Sequence, residues 1–321
     1  MKGRYLTTIL VVAGVTAVSA CGSNTDSTAS KEIRVDYAYY NPLSLVVRDQ
    51  HLLENRGHNV TWVLSAGSNK ANEGLRANGL DFGSTAGSAA LVARANGTPI
   101  KIIDVYSKPE WTALVVGKNS TVNSVAGLKG KKIAVTKGTD PYFFLLQSLA
   151  TAGLSPADVE IINLQHADGK TALERGDVDA WAGLDPFMAQ TVQQQGSRLL
   201  YRNPDFNSYG VLNVREDFSS ANPVAVQAVV NSYEEARQWA KTHPDELVAL
   251  LASQAKVTPS VAQEELQRTA LDIDPTPGGP ERAVLTSIVP IAVADADIRS
   301  DEAGRGALST IIEPKYAQRT H

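Results

Sequence analysis

The sequence predicts an α/β protein built as two doubly wound lobes with a helical C-terminal tail. Three observations predict it. From Glu32 to about Arg215, short apolar runs alternate with amphipathic helical stretches, and turns rich in glycine and hydroxyls join them. From Pro223 onward the pattern becomes almost wholly helical. A chain of 321 residues also exceeds one ordinary core and asks for two.

The chain opens with Lys2 and Arg4, an apolar stretch from Leu6 to Val18, and then Ser19-Ala20-Cys21. This reads as a bacterial lipoprotein signal peptide over residues 1–20, with Cys21 as the acylated first residue of the mature protein. The alternative is an ordinary signal peptide that happens to carry a buried cysteine. The stretch is short of the roughly 20 apolar residues a spanning helix needs. Cys21 is the only cysteine, which excludes disulfides and thiolate metal sites. Residues 21–31 read as a flexible tether, since Gly22 to Ser30 hold no aliphatic residue larger than alanine.

The first lobe starts with a strand at Ile33–Tyr39, a turn at Asn41-Pro42 and a helix from Leu43 to about Glu54. A strand at His58–Leu64, the turn Gly67-Ser68-Asn69 and a helix at Lys70–Ala77 follow. The unit recurs as Leu80–Gly83, the turn Thr85-Ala86-Gly87-Ser88 and a helix at Ala89–Ala95, with a further strand at Pro99–Tyr106. The second lobe opens with a strand from Trp111 through Val116 and another at Lys131–Thr136. Asp140 suits an N-cap and Pro141 the first position of a helix reaching about Ala152. Val159–Leu164, Gly169–Arg175, Ala180–Gly183 and Pro186–Gln195 continue the alternation, and Leu199–Arg202 and Tyr209–Val214 read as strands. The tail reads as helices at Pro223–Thr242, Pro244–Ala255, Pro259–Leu271, Pro280–Ala294 and Asp301–Ile312. Lobe one therefore comprises 32–108 and 212–321, and lobe two 109–211.

Formal net charge is −4, and −6 without Lys2 and Arg4. No basic run offsets it, so nucleic acid is not an expected partner. There is no G-x-S-x-G, H-E-x-x-H, Walker or G-x-G-x-x-G run, so neither an enzyme nor a cofactor is expected. No set of neighbouring ligands suggests a metal. A monomer is expected.

In open parallel sheets ligands bind beyond the carboxyl ends of the strands. Four turns would gather there: Tyr40-Asn41, Gly67-Ser68-Asn69, Thr85-Ala86-Gly87-Ser88 and Gly138-Thr139-Asp140. Ser68, Thr85, Ser88 and Thr139 bring hydroxyl donors, and the following helices bring unpaired N–H groups and positive dipole ends. Neutral donors of this kind suit a compact anion, although ordinary capping accounts for any one turn alone. Trp111 and Trp181 are candidates to cover an apolar ligand tail or, equally, core residues. Asp185 reads as a cap before the helix at Pro186, and His166, the one histidine near the crevice, reads as a solvated loop residue.

Several segments resemble the aliphatic-sulfonate branch of ABC-transporter substrate-binding proteins, which includes taurine, nitrate and sulfate-ester binders. They are Tyr39-Tyr40-Asn41-Pro42-Leu43, Gly67-Ser68-Asn69-Lys70-Ala71, Asp81-Phe82-Gly83-Ser84-Thr85-Ala86-Gly87, Val105 to Ala113, Leu128 to Val135, Lys137 to Pro141 and Gly176 to Pro186. The resemblance implies a two-lobed periplasmic-binding-protein type II (Venus-flytrap) fold that captures an organosulfur anion. It also implies delivery to an ABC permease with its ATPase, and membrane anchoring through lipidated Cys21. It places the sulfonate at the helix starts of Thr85-Ala86-Gly87-Ser88 and Gly138-Thr139. Asp140 would then have to point away from the anion or pair with Lys108 or Lys137. Many taurine and alkanesulfonate binders resemble Thr-Gly-Asp where this chain has Thr85-Ala86-Gly87-Ser88; in taurine binders an acidic residue there would face the ligand's amine, so its absence favours a tail lacking a cation. Nitrate, taurine, pyrimidine or riboflavin binding, and an enzyme like the thiamine-pyrimidine synthases, are the alternatives.

Overall fold

The computed structural model describes residues 32–317, so the signal sequence, the tether and Cys21 lie outside the described residues. Two sheets organise the chain. The first contains β1 (Ile33–Tyr37), β2 (Val60–Leu64), β3 (Phe82–Ala86), β4 (Ile100–Pro109), β10 (Gly210–Arg215) and β11 (Thr269–Ala270). Their order is β11-β4-β10-β3-β1-β2. The second contains β5 (Leu114–Val116), β6 (Lys132–Val135), β7 (Glu160–Asn163), β8 (Ala180–Ala182) and β9 (Arg198–Tyr201), in the order β7-β6-β8-β5-β9. These are the two wound lobes that the alternation predicts.

In each sheet the strands joined by helices run parallel, β1 with β2 and β3, and β6 with β7 and β8. The exceptions are the short edge strand β11, antiparallel to β4, and the strands where the chain changes lobe. β10 returns antiparallel between β3 and β4, and β5 lies antiparallel to β8 and β9.

The helices of the windings are α1 (Pro42–Asp49), α2 (Ser68–Arg76), α3 (Gly87–Ala95), α4 (Asp140–Thr151), α5 (His166–Arg175) and α6 (Phe187–Gln195). The tail adds α7 (Glu216–Ala221), α8 (Pro223–Thr242), α9 (Pro244–Ala255), α10 (Pro259–Gln267), α11 (Pro280–Ala294) and α12 (Asp301–Thr310). Prolines at the first positions of α8, α9, α10 and α11 fix where those helices begin, as the sequence suggested, because a missing N–H costs nothing there.

Three local expectations are corrected. Thr85 and Ala86 finish β3, and Gly87 begins α3 directly, so no separate turn exists. α5 begins at His166 rather than Gly169. A Cβ at Gly169 would lie 2.7 Å from Trp181 Nε1, so this glycine serves close packing and not chain reversal. The helical pattern from Pro259 stops at Gln267, and Thr269 and Ala270 pair with Pro109 and Lys108 at the edge of the first sheet.

Both lobes have dense cores. Ile33, Val35, Phe82 and Leu212 of the first sheet pack with Leu43 and Val46 of α1 and Tyr233 of α8, and Trp181 packs with Ala113, Val115, Ala134 and Met188 at the second sheet. Asp36, wholly buried on β1, accepts from Ser84 N at 2.8 Å and Ser84 Oγ at 2.9 Å, which fixes β1 against β3. Burial pushes its carboxyl up to about 7.

Candidate functional site

The predicted turns do gather between the sheets, but many of their polar groups are already engaged within the protein. Asn41 caps α1 by accepting from Ser44 N, and its amide donates to Ser84 Oγ at 2.7 Å and to Tyr233 OH at 3.1 Å. Tyr40 donates to the Ser84 carbonyl at 2.9 Å and stands edge-on to Trp111, with ring centroids 5.9 Å apart. Ser68 Oγ accepts from Ala86 N at 2.9 Å, Thr85 Oγ1 accepts from Asn213 at 2.8 Å, and Thr139 Oγ1 donates to the Thr136 carbonyl at 2.6 Å.

Asp140 is the largest departure from expectation. It lies in the first turn of α4, with Thr139 as the capping position, and pairs with neither Lys108 nor Lys137. Those ammonium groups sit over the Tyr209 and Tyr142 rings instead, at 5.9 and 5.1 Å. The Asp140 carboxylate accepts from Ser88 Oγ at 2.5 Å, Trp111 Nε1 at 2.8 Å, Ser208 N at 2.8 Å and Ser208 Oγ at 2.7 Å. Burial raises its pKa, and these four donors oppose the rise. At the start of α3, Gly87 N donates to the Tyr209 carbonyl at 2.8 Å and Ser88 N to Ser208 Oγ at 3.2 Å. An internal carboxylate and the chain's own backbone thus fill the place expected for the sulfonate. Asp140 holds Trp111 and Ser208, one on each strand connection between the lobes, and Ser88 in the first lobe.

Two further candidates are placed differently from their functional readings. Trp181 is 0% exposed at the centre of β8 and belongs to the core of the second sheet, because its neighbours on both sides are apolar. Asp185 is not the cap of α6, a position that Pro186 takes; it precedes the cap, lines the cavity between the lobes, accepts from Ala189 N at 2.9 Å and is gripped by Arg268 with two hydrogen bonds of 2.9 and 3.0 Å. Burial pushes Asp185 up to about 6, with Arg268 pulling the other way. This pair ties the second lobe to the end of α10.

Space remains where α2 and α5 begin. A cavity of about 80 Å³ lies between the lobes, lined by Tyr39, Tyr40, Ser65, Gln165, His166 and Phe187 among others. His166 is not the solvated loop residue expected. As the first residue of α5 it is 0% exposed, and it faces Gly67, the cap of α2, across the crevice. A Cβ on Gly67 would stand 2.9 Å from His166 Nε2 and 2.8 Å from Asn69 Oδ1, so only a glycine admits this approach. Gly138 comes to the same place, where a Cβ would meet Asn69 Cβ at 3.7 Å. His166 Nε2, Asn69 Oδ1 and Gln165 Oε1 are buried and without a hydrogen-bond partner. Ser208 escaped the sequence reading, and His166 was placed in a loop because the helix was expected to begin at Gly169 and not at His166.

The comparisons with known proteins agree with this architecture. A family model described as NMT1/THI5 like matches residues 45–247. A chain from Escherichia coli (strain K12) named as an aliphatic sulfonates-binding protein is 30% identical over 247 residues, 76% of this chain and 77% of its own. A Bacillus subtilis (strain 168) chain of the same name is 31% identical over 271 residues, covering 81% of this chain and 82% of its own. The solved alkanesulfonate-binding protein from Xanthomonas axonopodis pv. citri bound to MOPS superposes with a TM-score of 0.79 at 22% identity. The match covers 88% of this chain and 98% of that one, and it shows the shared fold.

Proposed function

Because the chain belongs to the NMT1/THI5-like family, we propose that it is the extracytoplasmic substrate-binding protein of an ABC importer and captures an organosulfur anion, an aliphatic sulfonate or sulfate ester, between its lobes. The observation that carries this reading is the close approach of two helix starts, α2 at Gly67 and α5 at His166, beside a cavity of about 80 Å³ that His166 and Ala167 line. First-turn N–H groups have no partner within their own helix, and the positive dipole ends of two helices converge there. Charge-assisted hydrogen bonds of about 1.5–3 kcal/mol each make a micromolar complex attainable after desolvation. The relatives named as sulfonate binders support the ligand class.

Delivery to a permease, without turnover of the ligand, is the work proposed. Residues 32–108 and 212–321 form one lobe and 109–211 the other in this reading, and the protein acts as a monomer. No helix among the described residues is long and apolar enough to cross a membrane, so the proposed attachment is acylation of Cys21. Isothermal titration of the tether-free protein with alkanesulfonates, alkyl sulfates, taurine, nitrate and sulfate tests the function. Binding of at least one alkanesulfonate or alkyl sulfate is expected. Heat with nitrate alone, or with no organosulfur compound, would overturn it.

A further inference from the structure

We propose that His166 accepts a hydrogen bond from a neutral donor on the ligand's carbon chain, so that the site prefers a hydroxyalkanesulfonate to the plain alkanesulfonate. The inference rests on the sulfonate reading above and deepens it by naming what the tail must carry.

The tautomer of His166 follows from its neighbours. Thr136 Oγ1 lies 2.7 Å from the Leu164 carbonyl and 3.1 Å from His166 Nδ1. The hydroxyl has one proton, and the carbonyl can only accept, so that proton goes to Leu164. Thr136 must then accept from His166, which puts the imidazole proton on Nδ1 and leaves a lone pair on Nε2. Nε2 is the buried atom without a partner, and it faces Gly67 and Asn69 across the crevice.

A protonated ring facing the anion is the competing arrangement, and burial works against it. Burial is the sole cause that shifts His166, and it pulls the imidazole down to about 3. Forming the imidazolium at pH 7 would have to overcome that desolvation. The groups nearest its ring nitrogens, Thr136, Gly67 and Asn69, are uncharged, and the one carboxylate lining the cavity, Asp185, is already paired with Arg268. A ligand hydroxyl satisfies the lone pair without that cost. The amides of Asn69 and Gln165, whose oxygens are also unpartnered, can turn to present either end and so adapt to the same hydroxyl. An ammonium would have to leave water for a neutral lone pair, which is poor compensation.

The test is calorimetric titration of the full mature chain with ethanesulfonate and 2-hydroxyethanesulfonate, at pH 5.5 and 8, in two buffers of different ionisation enthalpy. The wild type is expected to favour the hydroxyl compound by about tenfold, since an analogue lacking the donor leaves a buried acceptor unpaired. His166 should take up no proton on binding at either pH. In His166→Phe the ratio of the two affinities should fall to about one, and in His166→Gln, whose Oε1 still accepts, a preference should return. Equal affinities in the wild type, or a preference that survives His166→Phe, would refute the role of His166 while leaving sulfonate capture standing. Proton uptake that disappears in His166→Phe would also refute it, because it would reveal an imidazolium facing the anion; uptake that persists there belongs to Asp185, whose carboxyl at about 6 lines the same cavity. If neither compound nor any other organosulfonate binds, the functional reading and this inference fail together. The wild-type ratio decides the matter even if the Phe variant fails to fold.

Discussion

Gly67→Ala is the sharpest probe of whether the lobes must meet at α2 and α5. The backbone at Gly67 is extended, with φ 169 and ψ 165, so alanine adopts it without strain and the first lobe should fold unchanged. The added Cβ would lie 2.8 Å from Asn69 Oδ1 and 2.9 Å from His166 Nε2. The first contact is the free end of a flexible side chain and can swing away. The second is a ring anchored through Nδ1 to Thr136 at 3.1 Å, so relief requires the second lobe to retreat by about half an ångström. Overpacking of this size costs about 1–3 kcal/mol. If ligand holds only the closed form, that energy weakens binding by roughly 5- to 150-fold. Calorimetry gives the affinity, and small-angle scattering with and without ligand gives the compaction. Removing the ring in Gly67→Ala/His166→Ala should recover part of the compaction. Wild-type affinity and the same ligand-induced compaction in Gly67→Ala would refute closure at this contact.

Other perturbations separate structural from ligand-contacting residues. Asp140→Ala removes the acceptor of Ser88, Trp111 and Ser208 together, and denaturant titration should show a loss of about 3–5 kcal/mol, as for a broken buried charge network. Trp181→Ala empties the core of the second sheet and should cost about 3–5 kcal/mol while weakening short- and long-tailed ligands alike, which a paired calorimetric series checks. The cavity of about 80 Å³ has room for only a few water-sized groups, so methane- and ethanesulfonate should bind more tightly than hexanesulfonate. His166 also shapes stability: its folded pKa of about 3 lies below the ordinary 6.5, so below pH 6.5 the unfolded chain binds a proton that the native one refuses. Stability is therefore lost as pH falls, by about 2 kcal/mol from this group at pH 5. The stability difference between wild type and His166→Gln, measured in urea at pH 7 and pH 5, should shrink by about that amount.

The winding of both lobes was legible because strand and helix periods differ, and because proline marks the starts of α8 to α11 whatever surrounds them. Sites are harder to read, since a polar residue at a helix start has the same local signature whether its partner is a ligand or another part of the chain. Ser88 and Asp140 each look like free donors or caps in sequence. They are spent on one another only because α3 and α4 converge, 52 residues apart. Trp181 looked available for a ligand tail, and it is covered because Gly169 lets α5 close down on it.

His166 shows the converse. Its local surroundings, Gln165 to Gly169, suggest a solvated loop, yet Gly67, about a hundred positions earlier, makes the room that buries its ring. The polar groups that stay unpaired after folding are thus the informative ones. A buried acceptor without a partner costs free energy in the empty protein, and a fold carries that cost most readily where a ligand can return it. Among the buried atoms left unpaired, His166 Nε2, Asn69 Oδ1 and Gln165 Oε1 lie where α2 and α5 meet and are the ones the proposed ligand hydroxyl would satisfy, whereas the N–H groups of Gly87 and Ser88 already donate to Tyr209 and Ser208.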